Sequence, residues 1–411
     1  MGFWSLFPVA STPIVQVLLI GLLGAYLASG YSNLLPHSAR RDMNKVVFTV
    51  FTPSLMFASL AKTVTLKEII SWWFMPVNLG ITFLIGGILG WIVVRILRPP
   101  RHLEGLVIAT CSAGNMGNLL WIIIPAICEQ DGNPFGNDKV SGARGLASFS
   151  MAIGGIYIWT HSYSLMRNAS KIYHASHISC HAGVIERHGN DQRVSTDQEN
   201  MLSLPVEVME EMADNQIDIP LLPNGSLHGE KVNSWDKMKE TLHSIVEELL
   251  APPTVASIMG VIVGATPWLK SLFAGSSAPL RVVEDTVKLL GDGTVPCITL
   301  VLGGNLTQGL RRSVVSNAVI VAIVCVRYLV LPVIGIAVVR AAYGLGLVPY
   351  DPLYRYVLMI QFGVPPAMNI GTMAQLFDVG QEECSVIFLW TYVVATVAVT
   401  VWSTVFMWIL S

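Results

Sequence analysis

Ser112-Ala-Gly-Asn-Met-Gly-Asn118-Leu-Leu-Trp-Ile-Ile-Ile-Pro125 and Gln361-Phe-Gly-Val-Pro365-Pro366-Ala-Met-Asn369-Ile-Gly371 decide how this chain is read. Each sets glycine, proline and side-chain amides inside a run otherwise apolar enough to lie in lipid as a helix. Proline has no amide donor, and its ring collides with the carbonyl four residues back, so both helices are expected to break near mid-bilayer. Backbone groups freed in hydrocarbon are costly unless protein or a wet cavity satisfies them. Two such breaks in corresponding places therefore point to a small-molecule site between them.

The rest of the chain supports a membrane reading. Of 411 residues, 53% are hydrophobic and 13% charged, and the mean hydropathy is +0.58. Soluble domains carry about 25% charged residues. The segment from Arg167 to Leu250 alone holds 14 Asp/Glu and 7 Lys/Arg, so what remains is almost all apolar. A net charge of −2 argues against a nucleic-acid partner, which needs a basic surface. Six scattered cysteines, Cys111, Cys128, Cys180, Cys297, Cys325 and Cys384, lack disulfide or zinc spacing and read as buried small hydrophobes. The N-terminus has no basic n-region, and Leu6 stands where a myristoylation signal needs Ser or Thr. No catalytic triad, Walker loop or metal-ligand cluster is visible, so neither an enzyme nor a bound metal or cofactor is expected.

Apolar runs of about 20 residues fall at 9–29, 44–61, 74–97, 103–127 and 145–166, and again at 252–272, 285–308, 313–340, 353–376 and 384–410. Proline positions align the two sets. Pro13 to Ala25 parallels Pro253 to Ala265 at an offset of 240, Pro53 parallels Pro296 at 243, and Pro125 parallels Pro366 at 241. Five spans is an odd number, so the second unit must sit inverted. The fold class expected is thus all-α integral membrane, ten transmembrane helices in two inverted five-helix repeats. Its divisions are a first repeat at 1–166, an acidic, largely disordered loop at 167–250 and a second repeat at 251–411.

Short-loop basic residues are richer on the side of Arg40, Arg41, Lys45, Arg95, Arg98 and Arg101, which places that side and the central loop in the cytosol. Both termini then face the lumen or exterior. Within the loop, Trp235, Met238, Leu242, Ile245 and Leu249 share one helical face after the N-cap candidate Ser234. His174, His177, His181 and His188 are too irregularly spaced for a metal site.

Half-helix N-termini at the breaks would present partial positive charge suited to a carboxylate. Asn115, Asn118 and Asn369 add neutral donors, and Gln361, Pro125, Pro365 and Pro366 complete the broken segments. The other reading is that these amides only cap or pack the broken helices. Two ionisable residues lie within spans, and such charges are functional candidates by default. Asp292, in Gly291-Asp-Gly-Thr-Val-Pro296, reads as a site carboxylate or as a cap near a helix start. Arg327 reads as a partner to carbonyls or a carboxylate, with substrate or proton-linked work the alternative.

Phe51-Thr-Pro-Ser-Leu55, Gly114-Asn-Met-Gly-Asn118-Leu and Pro365-Pro-Ala-Met-Asn-Ile-Gly-Thr-Met-Ala-Gln-Leu-Phe377, with Glu383-Cys-Ser-Val-Ile387, carry a resemblance. Over nearly both halves the sequence resembles the plant PIN-LIKES family, relatives of the PIN auxin efflux carriers. The resemblance implies a scaffold of spans one, two, six and seven. Spans three to five and eight to ten would form a moving unit, in which spans four and nine cross at their prolines. It implies an endoplasmic-reticulum carrier of auxin, indole-3-acetic acid, working by alternating access. Asn118 matches the substrate-contacting asparagine of the PIN carriers, Pro366 the second crossing proline, and Asp292 a further polar site residue. The sequence departs from PIN in Gly114-Asn115, where PIN begins Asn-Thr, and in its doubled proline. The substrate-binding set expected is Asn115, Asn118, Pro125, Gln361, Pro365, Pro366, Asn369 and Asp292. The partners expected are an indole-type carboxylate and membrane lipid, with a homodimer left open. An ion-coupled carrier of another organic anion and a non-transporting membrane receptor are the rival readings.

Overall fold

A computed structural model describes residues 3–130, 132–136, 139–174, 252–273, 278–306 and 315–411. The expected surface helix after Ser234 and most of the acidic loop, including His177, His181 and His188, lie outside the described residues. Among the described residues all regular structure is helical. The first set comprises α1 (Phe3–Ala28), α2 (His37–Thr63), α3 (Leu66–Ser71), α4 (Phe74–Leu97), α5 (Arg101–Ser112), α6 (Asn118–Glu129) and α7 (Val140–Tyr157). The last of these continues as helix to residue 174. The second set comprises α8 (Pro252–Ala265), α9 (Pro267–Phe273), α10 (Arg281–Asn305), α11 (Asn317–Gly344), α12 (Pro352–Ile360), α13 (Asn369–Leu376) and α14 (Gln381–Leu410).

Five of these, α2, α4, α10, α11 and α14, are long and apolar enough to cross a membrane. The α8–α9 pair would make a sixth, but it bends by 106° between them. The bend follows from Pro267, which pushes Thr266 away from helical geometry. Leu84, Ile88, Trp91 and Ile96 are exposed at helical spacing along α4. Apolar side chains facing outward are what a lipid solvent permits.

Two prolines inside continuous helices are preceded by widened turns. A π-turn at Val47–Phe51 precedes Pro53 in α2, and another at Val326–Val330 precedes Pro332 in α11. The extra residue per turn relieves the ring's collision with the turn before it. Tyr328, four residues ahead of Pro332, has its carbonyl taken up by the indole N–H of Trp402 at 2.7 Å. The continuous helix survives because a neighbour supplies the donor that proline lacks.

Two glycines aligned by the proline offset mark close helix packing. Gly24 of α1 lies against the backbone of Leu300 in α10. A Cβ on Gly264 of α8 would come within 2.5 Å of the Val64 carbonyl oxygen at the end of α2. Only residues without a side chain let the backbones approach so closely.

One expectation is corrected here. Pro125 does not break the fourth span: it sits inside α6, and the interruption lies at residues 113–117. The ninth span is interrupted where expected, at 361–368, with Pro365 and Pro366 within the break.

Candidate functional site

The two interruptions meet. Ala113 leaves α5 in extended geometry, and Gly114 forms an antiparallel bridge with Pro366. The Asn115 amide donates to the Pro365 carbonyl at 2.7 Å, and the Ala367 amide donates to the Ala113 carbonyl at 3.0 Å. Each broken helix thus supplies the partners the other lacks, so the breaks leave few orphaned polar groups in an apolar interior. Gly114 is required by the approach: a Cβ there would lie 2.7 Å from Val364 Cγ2 and 2.8 Å from Arg327 Nη2.

Side chains lock the crossing. The fully buried guanidinium of Arg327 on α11 donates from Nη1 to the Cys111 carbonyl at 3.3 Å and from Nη2 to the Pro365 carbonyl at 3.2 Å. Tyr392 of α14 donates its hydroxyl to the Pro366 carbonyl at 2.9 Å and accepts from Asn115 Nδ2 at 3.0 Å. Asn115 Oδ1 accepts the Leu119 amide in the first turn of α6 at 3.4 Å. Behind the crossing, Gln361 bonds Asn78 of α4 at 2.8 Å and Ser150 of α7 at 2.9 Å, and Ser150 reaches the Met116 carbonyl.

The expected site residues therefore divide into three groups. Asn115 and Asn369 border a small cavity of about 20 Å³ below the crossing, with Thr52, Met56, Met151 and Ile298. Pro125 and Asp292 line a separate, much larger cavity. Gln361, Pro365 and Pro366 are buried and build the crossing itself. Gln361 lines neither cavity, and both its polar atoms are engaged, one with Asn78 and one with Ser150. Asn115 joins both readings: its amide is engaged by the scaffold while the residue faces the small cavity. Asn118 opens α6 at the crossing, as Asn369 opens α13; the Asn118 side chain lies outside what is described. Asp292 ends the first stretch of α10 rather than starting a helix, and it is exposed to the large cavity.

The large cavity, about 1000 Å³, lies among α2, α6, α7 and α10. Its walls carry paired charges, Lys62 with Glu284 at 3.4 Å and Arg144 with Glu129 at 3.0 Å, together with Lys288 and Asp292. Trp121 packs on Leu55, which lines the large cavity, and on Met56 and Met151, which line the small one, and so stands as an apolar plug between them. The Trp121 indole N–H donates to Ser59 at 3.3 Å. Toward the other end of α2 the space closes to about 30 Å³. There Asn44 donates to Gln375 at 3.0 Å and accepts from Thr372 at 3.2 Å, tying α2 to α13. Tyr392, Trp121 and the Asn44 latch carried no signal in the sequence, because a lone aromatic or amide in an apolar run is an ordinary helix residue.

Comparison with known proteins bears on this geometry. Residues 9–403 match the family described as membrane transport protein. Protein PIN-LIKES 7 of Arabidopsis thaliana is 56% identical over 413 residues spanning the whole of both chains, and PIN-LIKES 5 of the same plant is 54% identical over 412. An uncharacterized transporter of Saccharomyces cerevisiae is 27% identical across 94% of this chain and 92% of its own. These relatives point to membrane transport rather than catalysis.

Proposed function

This chain belongs to the PIN-LIKES family of membrane transport proteins, and from that premise we propose that it carries an indole-type carboxylate, auxin, across the endoplasmic-reticulum membrane by alternating access. The observation that carries the proposal is the crossing. Two helices, α6 and α13, start within a few residues of one bridge, and their N-terminal residues Asn118 and Asn369 begin there together. Helix N-termini in a low-dielectric interior favour an anion. The small cavity beneath, bordered by Asn115 and Asn369, is the seat of the carboxylate, and Met56, Met151 and Ile298 supply the apolar bed for a ring.

In this reading the chain has ten spans in two inverted repeats, 1–166 and 251–411, around the 167–250 loop. Supporting it are the proline offsets, the paired interruptions and the exchanged packing of α1 on α10 and α8 on α2. With the Arg40–Lys45 side cytosolic, the large cavity opens to the lumen and the Asn44 latch closes the cytosolic end. At about 20 Å³ the small cavity holds about one water, so substrate entry requires the Trp121 plug to move. The large cavity is of the size that accommodates small aromatic ligands, in the range of about 300–1000 Å³.

Vesicles containing the full-length protein are expected to take up labelled indole-3-acetic acid above protein-free controls. Paired Asn369→Ala and Asn115→Ala substitutions should lower that flux at least tenfold. Undiminished flux in the double variant would remove the crossing as the substrate site. The ion-coupled alternative rests on Asp292, an exposed carboxylate on the wall of the large cavity, and dependence of flux on an imposed sodium or proton gradient distinguishes it.

A further inference from the structure

We propose that Arg327 is the fixed counter-charge of the crossing, the residue that makes the site prefer a carboxylate over a neutral molecule of the same shape. The proposal rests on the reading of the crossing as the substrate site and adds the origin of its charge selectivity.

Arg327 is a buried cation in the middle of α11, with none of its side chain exposed. A charge at that depth is expensive and is ordinarily matched by an opposite one. Among the described residues its guanidinium meets two carbonyl oxygens and no carboxylate, and its Nε–H has no acceptor. Two carbonyls call for two donors, which a neutral amide supplies without the cost of a buried ion. The described partners use its N–H groups and leave its unit charge without a counter-charge.

Its place explains what the charge does. Arg327 Nη2 and the Asn115 amide donate to the same oxygen, that of Pro365, so the cation stands one carbonyl away from a residue bordering the small cavity. Arg327 belongs to the widened turn at Val326–Val330, which turns it inward while Leu329 and Val330 stay exposed. Gly114 leaves the room the guanidinium fills. The carbonyls hold the cation rigid, and the field it projects into a dry site is opposed by no described carboxylate. At about 8 Å and an effective dielectric of about 20, a unit charge corresponds to about thirtyfold in affinity for an anion.

Binding of indole-3-acetate and of its neutral analogue indole-3-acetamide to the purified full-length protein in nanodiscs tests this. Wild type should favour the acetate by about thirtyfold. Arg327→Gln should lose at least tenfold of acetate affinity while leaving acetamide affinity within about twofold, and Arg327→Lys should keep most of the preference. Cys111→Asp retains the guanidinium and neutralises it in place; it should erase the preference as well, and it serves where Arg327→Gln does not fold. A purely structural Arg327 would weaken both ligands equally. Equal wild-type affinities, or a preference that survives both neutralising variants, overturn the role of Arg327 while leaving indole binding intact. A wild type that binds neither compound overturns both readings.

Discussion

The break between α5 and α6 and the break between α12 and α13 end in one shared bridge, yet they are built from opposite chemistry. The second contains Pro365 and Pro366, which cannot continue a hydrogen-bonded helix. The first contains no proline at all: Gly114 and Gly117 flank Asn115 and Met116, and the chain leaves the helix because the other break offers it partners. Pro125, Pro53 and Pro332 meanwhile sit inside helices that continue past them. Proline weakens a helix in lipid, but a helix stays broken only where its freed groups find something better to bond.

The two half-helices that follow the breaks are also anchored differently. Both are tied to α2, α6 through Trp121 to Ser59 and α13 through Asn44 to Thr372 and Gln375. The α6 end borders about 1000 Å³ of open cavity, and the α13 end about 30 Å³. The two half-helices thus border an open space at one end of α2 and a nearly closed one at the other.

Substitutions can break this comparison or sharpen it. The largest effect is expected from Gly114→Val, whose side chain would collide with Val364 and Arg327 and separate the bridge. A loss of about 3 kcal/mol or more, read as a lowered thermal midpoint, should accompany loss of flux. Next, Tyr392→Phe leaves the Pro366 carbonyl and the Asn115 amide short of a partner, and should cost about 1–3 kcal/mol in the same melt. Asn44→Ala removes two hydrogen bonds that hold α13. It should shift the resting state by about 1–2 kcal/mol, seen as roughly tenfold faster thiol labelling of a Ser385→Cys reporter lining the same space. Pro125→Ala should change flux least, leaving it intact, and should raise rather than lower the thermal midpoint, because alanine is the better residue inside α6. Loss of flux in that variant would return the break to proline and undo the contrast drawn above.

How far the sequence could be read follows from the range of the forces involved. Apolar runs at 74–97 and 384–410 were legible as α4 and α14 because lipid selects composition residue by residue. The interruption at 361–368 was legible because two adjacent prolines act locally. Locating the other break at Pro125 failed because proline is a local signal, whereas the partners that hold residues 113–117 out of a helix lie on the distant second break. Asn115 and Gln361 both stand out in the sequence as amides in apolar runs. That one faces the cavity while the other bonds Asn78 and Ser150 could not be read, since those partners lie 283 and 211 residues away.

The sequence alone determined that this chain lives in a membrane, that two of its helices are interrupted, and that it resembles a carrier family. All three are written in composition and short motifs. Tertiary structure alone decided which polar groups in those interruptions remain available and which are consumed by one another. A buried donor or acceptor bonds whatever its neighbours present, and only the packing of distant helices makes Arg327, Tyr392 and Ser150 neighbours of the breaks.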